Sequence, residues 1–185
     1  LAGISDLTID EDAAEQTVNL AGITAGGGET QPLRVTASSD NTNLIPNPTV
    51  TYTSDETTGS IKFTPIADAS GSAVITVTVE DGGLDGNLST SGDNTTTSQT
   101  FTLTANSIND LPTLAAISDL TLAEDAPEQI VSLAGITAGG GEAQPLRVTA
   151  TSSNTNLIAN PTVTYISDAA TGSLAFTPVA NQFGT

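Results

Sequence analysis

Apolar and polar residues alternate along most of this chain in short runs rich in Thr, Val and Ile, and no stretch follows the 3.6-residue period of a helix. The clearest run is Ala73-Val74-Ile75-Thr76-Val77-Thr78-Val79, in which Val and Ile are expected to face one way and Thr the other. Gly, Pro, Asn and Asp punctuate the runs at intervals of roughly ten residues. The pattern predicts strands near 4–9, 16–20, 32–38, 49–53, 60–65, 73–80 and 99–106. About seven short strands in some 110 residues is the signature of an antiparallel β-sandwich with Greek-key connections. Tyr52, Phe63 and Phe101 are the aromatic candidates for an otherwise aliphatic core.

The pattern then starts again. Residues 1–72 match residues 114–185 at an offset of 113, with 52 of the 72 aligned positions identical. Leu20 to Glu29 recurs as Leu133 to Glu142, and Gln31 to Ala37 as Gln144 to Ala150. Tyr165 and Phe176 are the aromatic counterparts in the second copy. The expected organisation is therefore all-β: one sandwich over 1–110 and a second over 111–185. The second copy contains nothing corresponding to 73–110, so it is expected to lack its last two strands.

Composition narrows the chemistry. Three Lys and Arg against 21 Asp and Glu give a formal net charge of −18, which disfavours nucleic acid and anionic membrane surfaces as partners. With no Cys and no His, thiolate chemistry, disulfides and the usual zinc and copper ligands are absent. Hard oxygen ligands remain, and among hard cations calcium fits best. No apolar run reaches the roughly 18 residues of a membrane span, and no basic-then-apolar leader opens the chain. The chain is thus expected to be a soluble piece of something longer.

Oxygen donors collect where one copy gives way to the next, in Asn106-Ser107-Ile108-Asn109-Asp110-Leu111-Pro112-Thr113. A sandwich brings distant strand ends together at one pole, so Glu11, Asp12, Asp68, Asn109 and Asp110 are candidate calcium ligands. The same residues also suit solvated turns and caps. A second acidic stretch, Glu80 to Asn87 with Asp93 and Asn94, lacks the spacing of a twelve-residue calcium loop and reads as a long strand connection. Gly26-Gly27-Gly28 lacks the Lys-Ser/Thr of a phosphate cradle and reads as a sharp bend. Arg34 and Arg147, at equivalent positions, are expected to pair with Glu29 and Glu142. Asn87-Leu88-Ser89 and Asn94-Thr95-Thr96 match the N-glycosylation acceptor pattern, which is common by chance in so Asn- and Thr-rich a chain.

Val79-Glu80-Asp81-Gly82-Gly83, followed by a strand and then Asn109-Asp110-Leu111-Pro112, resembles the ending of a cadherin repeat. Tyr52 and Thr58-Gly59-Ser60-Ile61 resemble its middle strands. Overall the chain is similar to the cadherin-like tandem repeats of long bacterial surface and adhesin proteins. That resemblance implies calcium between successive domains, with Glu11 as first-strand acid, Asn109 and Asp110 as linker ligands, and Asp81 serving a junction with a preceding repeat. Only Asp68 remains of the family's DRE segment, in Ala67-Asp68-Ala69. Ser107 stands at the first linker acid, and Ser152-Ser153-Asn154 at the DxD pair.

With no His, no Cys and no serine in a nucleophile elbow, an enzyme is not expected. Tandem duplication suits a spacer in which each unit adds length. The leading expectation is an extracellular stalk or filament segment, secreted or attached to the cell surface, with calcium-rigidified joints and neighbouring repeats as partners. One alternative is a module that binds a glycan or a surface protein through the loop at 82–98. Another is a filament subunit completed by strands from a neighbouring chain.

Overall fold

The computed structural model describes residues 1–90 and 92–185, so Ser91 in the 82–98 loop lies outside the described residues. The chain divides into two compact units, Leu1–Ile108 and Asn109–Thr185. Every element assigned among the described residues is a strand.

Unit 1 contains β1 (Leu7–Asp10), β2 (Gln16–Ala21), β3 (Leu33–Ser39), β4 (Thr49–Thr51), β5 (Thr58–Phe63), β6 (Gly71–Asp81) and β7 (Thr96–Asn106). Two sheets form, β1-β7-β6-β3 and β2-β5-β4. In β6, Ala73, Ile75, Val77 and Val79 are buried and face Leu20, Ile61 and Phe63 of the other sheet across one core. Phe101, Leu103 and Ala105 of β7 and Leu33 and Val35 of β3 extend the same layer. Alternation thus sets the inner face, but Val74 falls on the outer side with the threonines. The period of two leaves it there whatever its hydrophobicity.

One strand pair departs from the antiparallel expectation. Ala2 bonds to Ala21 beside β2, after which the chain crosses to the other sheet and β1 runs parallel to β7, Leu7 opposite Leu103. Asp6 fixes the crossing by accepting from the Thr102 N–H at 2.7 Å. Arg34 also departs from expectation. The β3–β6 register sets it opposite Glu80, and that ion pair forms in place of one with Glu29. Glu29 instead accepts from the Gln31 amide, as Glu142 does from Gln144.

Unit 2 contains β8 (Gln129–Ala134), β9 (Thr162–Thr164) and β10 (Thr171–Phe176), ordered β8-β10-β9. They correspond to β2, β4 and β5, with the same order and the same antiparallel pairing. Leu146–Ala150, identical to Leu33–Ala37 of β3, is not a strand here.

Candidate functional site

Two groups of acidic residues in unit 1 lie at opposite ends of β6. Gly71 at its start pairs with Ala105, near the end of β7, and Glu80 at its far end pairs with Thr96, where β7 begins.

At the first pole, β1 ends in a turn whose Ala13 N–H bonds to the Asp10 carbonyl. The turn aims Glu11 inward and Asp12 outward. Glu11 is 1% exposed, and a carboxylate at such depth requires hydrogen bonds. It accepts from the Ile108 N–H at 3.0 Å and lies 3.5 Å from the Ser107 hydroxyl, while its own N–H donates to Asn106. Glu11 thereby ties the departing chain to the first strand. Asp12 stays exposed, and its carboxylate accepts from the N–H of Asp68 at 3.2 Å. Asp68 itself sits in a left-handed conformation (φ 58°) in the turn after β5.

Oxygens of Asp12 and Asp68 lie within 4.8 Å of one another, close enough for both to reach one cation whose oxygen ligands stand 2.3–2.6 Å away. The pair therefore fits the two sides of a calcium coordination shell, with charge that a cation would neutralise. Glu11 is differently disposed, since one of its oxygens is committed to the backbone at 108. Asn109 and Asp110 follow directly in the chain but belong to unit 2. There the Asn109 amide donates to the Asp110 carbonyl at 3.0 Å, and the Asp110 N–H donates to Glu142 at 3.2 Å.

Unit 2 rebuilds the turn contact. The N–H of Asn181, also left-handed (φ 55°), donates to Asp125 at 2.9 Å, the counterpart of Asp68 to Asp12. Asn for Asp removes one negative charge from this pole. Glu142, absent from the candidate ligands, is placed by its offset from the three glycines, the same offset as Glu29.

At the far pole, Asp81 is buried and accepts from the Thr95 hydroxyl, the Thr95 N–H (2.9 Å) and the Gly83 N–H (3.1 Å). The Thr95 hydroxyl bond, with help from these backbone N–H groups, holds its carboxyl below the usual carboxylate range against the opposing effect of burial. Glu80 is likewise lowered, first by its hydrogen bond to Arg34 and then by that to Asn94. Asp93 accepts from the Leu84 N–H, and Asp85 from the Asn87 N–H and the Thr90 hydroxyl. These acids anchor the 82–98 loop, and Asp81 is not gathered with Asp12 and Asp68.

No protein-family model and no curated protein matches the chain. Similar solved structures include the titin domains z1z2 in complex with telethonin (11% identity, TM-score 0.33, covering 96% of this chain and 79% of that one). Domains 4 and 5 of the surface-layer protein SbsC are similar at 20% identity and a TM-score of 0.32, covering 88% of this chain and 64% of that one. Likenesses this distant carry no functional inference. The chain's own strands and internal duplication define a tandem β-sandwich repeat protein.

Proposed function

We propose that the chain is a spacer segment of an extracellular or cell-surface repeat protein, in which sandwiches stand in series and calcium ties the joint at the Asp12–Asp68 pole. The observation that carries this reading is duplication down to the turn contact. Asp12 with Asp68, and Asp125 with Asn181, form the same hydrogen bond at the same pole of two repeats. A structural spacer needs each unit to present the same end to the next. The Asp12–Asp68 oxygen separation supports calcium at that end, and sequence alone adds Asn109 and Asp110 as the next donors along the chain.

In this reading Asp12 and Asp68 hold the ion, Glu11 holds the backbone leading to it, and calcium supplies the charge that lets carboxylates crowd. Thermal unfolding in calcium and in chelator tests it. A ligand that binds only the folded state stabilises by mass action, about 2.7 kcal/mol at a hundredfold excess over Kd. The melting temperature is expected to rise with calcium in the parent chain and to rise far less in Asp68→Asn. Identical melts of the parent with and without calcium would overturn the calcium clamp.

A further inference from the structure

The ten residues Leu20–Glu29 and Leu133–Glu142 are identical, and their loops have the same backbone. Gly26, Gly27 and Gly28 have φ of 91°, 56° and 82°, against 96°, 45° and 73° for Gly139, Gly140 and Gly141. The closing bonds, Glu29 N–H to Gly26 and Glu142 N–H to Gly139, are both 2.9 Å. The surroundings of the two loops differ.

In unit 2 the segment Asp110–Thr113 lies along this loop. The Asp110 N–H donates to Glu142 at 3.2 Å, and Thr113 and Thr137 exchange backbone hydrogen bonds at 3.0 and 3.4 Å. The Thr113 hydroxyl bonds to the Gly135 carbonyl at 2.7 Å and meets the Thr137 hydroxyl at 2.7 Å. Thr113 has one hydroxyl proton and gives it to Gly135, so Thr137 donates between the two hydroxyls and itself accepts from the Gly139 N–H at 3.2 Å. A Cβ at Gly139 would fall 2.7 Å from the Asp110 Cβ and nearer still to the Leu111 carbonyl, so glycine admits the segment's backbone. In unit 1 a Cβ at Gly26 would meet nothing within 4 Å, and Thr24, Gly26 and Glu29 are exposed.

Both repeats guide an incoming chain to this loop identically. Ala2 bonds to Ala21 as Ala115 does to Ala134, each at 2.9 Å, and each alanine rests against a left-handed glycine, Gly22 or Gly135. We propose that the Thr24–Glu29 edge of unit 1 is a receptor for an Asp-x-Pro-Thr segment, of the sequence this chain carries at 110–113, entering directly ahead of Leu1. Thr24 takes the threonine through backbone and hydroxyl, Glu29 takes the aspartate N–H, and proline limits the order the segment must acquire on seating. The loop already has its seated backbone, so little reorganisation opposes docking. The inference rests on the serial arrangement proposed above but not on calcium.

The test extends the full chain ahead of Leu1 with Ser-Ile-Asn-Asp-Leu-Pro-Thr and follows amide hydrogen exchange in chelator. The Thr24 amide, counterpart of the Thr137 amide bonded to Thr113, is expected to exchange about tenfold or more slowly than in the unextended chain. Replacing the last threonine of the extension with alanine is expected to remove most of that protection. Equal Thr24 exchange with and without the extension would overturn the proposal, as would equal protection by the alanine version. Because calcium is withheld, these outcomes are independent of the clamp.

Discussion

The sequence Gln-Pro-Leu-Arg-Val-Thr-Ala occurs twice, at 31–37 and 144–150, with two different outcomes. In unit 1 its last five residues lie in β3, paired with β6, and Leu33 and Val35 are 6% and 8% exposed. In unit 2 the same five are in no strand, and Leu146 and Val148 are only half-buried. Meanwhile β8, β9 and β10 reproduce β2, β4 and β5 pair for pair. One sheet of this repeat is encoded wholly within its first 63 residues, whereas β3 needs β6, which is encoded after residue 70. A strand here is therefore a property of a pair, since its ladder bonds and half its burial come from the partner.

The largest effect should come from supplying that partner. Appending a copy of residues 73–110 behind Thr185 is expected to turn 146–152 into a strand and slow exchange of its amides on the order of 10³-fold. Unchanged exchange would mean that something other than a missing partner keeps the segment out of a sheet. Next in size is a core truncation at the two equivalent leucines. Leu33→Ala should cost unit 1 about 2–4 kcal/mol, and Leu146→Ala should cost unit 2 under about 1 kcal/mol, measured by denaturation followed through each unit's NMR signals. Equal costs would contradict the contrast in packing.

A smaller effect concerns pH and the far end of β6. The folded carboxyl of Asp81 is lowered, first by the Thr95 hydroxyl bond, so it stabilises the fold above its unfolded value of about 3.9. That contribution is lost as pH falls below that value and through the folded one. Thr95→Val should move the Asp81 NMR titration midpoint upward and make the Gly83 and Thr95 amides, both bonded to Asp81, lose protection at a higher pH. An unmoved midpoint would show that the hydroxyl is not the cause.

Alternation alone located the seven strands of unit 1 to within about three residues, because a period of two with one buried face leaves little choice. Pairing was less legible. The parallel β1–β7 contact depends on a chain crossing fixed by Asp6 and Thr102, 96 residues apart. The partner of Arg34 depends on the β3–β6 register, which set Glu80 opposite it while the sequence-near Glu29 turned to Gln31. At the candidate site, a shared pole was readable for Asp12 and Asp68 because both follow strands of the repeat. The tie from Glu11 to the Ile108 backbone was not, since a backbone N–H leaves no mark in a sequence. The contrast between 33–37 and 146–150 was the hardest to read, because the residues are the same.

The most direct test of the serial, calcium-tied repeat is calorimetric titration of the 185-residue chain with calcium, beside Asp12→Asn and Asp68→Asn. Saturable binding is expected in the range of extracellular modules, Kd roughly 10⁻⁴–10⁻³ M, weakened at least about tenfold in each variant. Absence of binding up to several millimolar calcium, or binding unaltered by both substitutions, would contradict it.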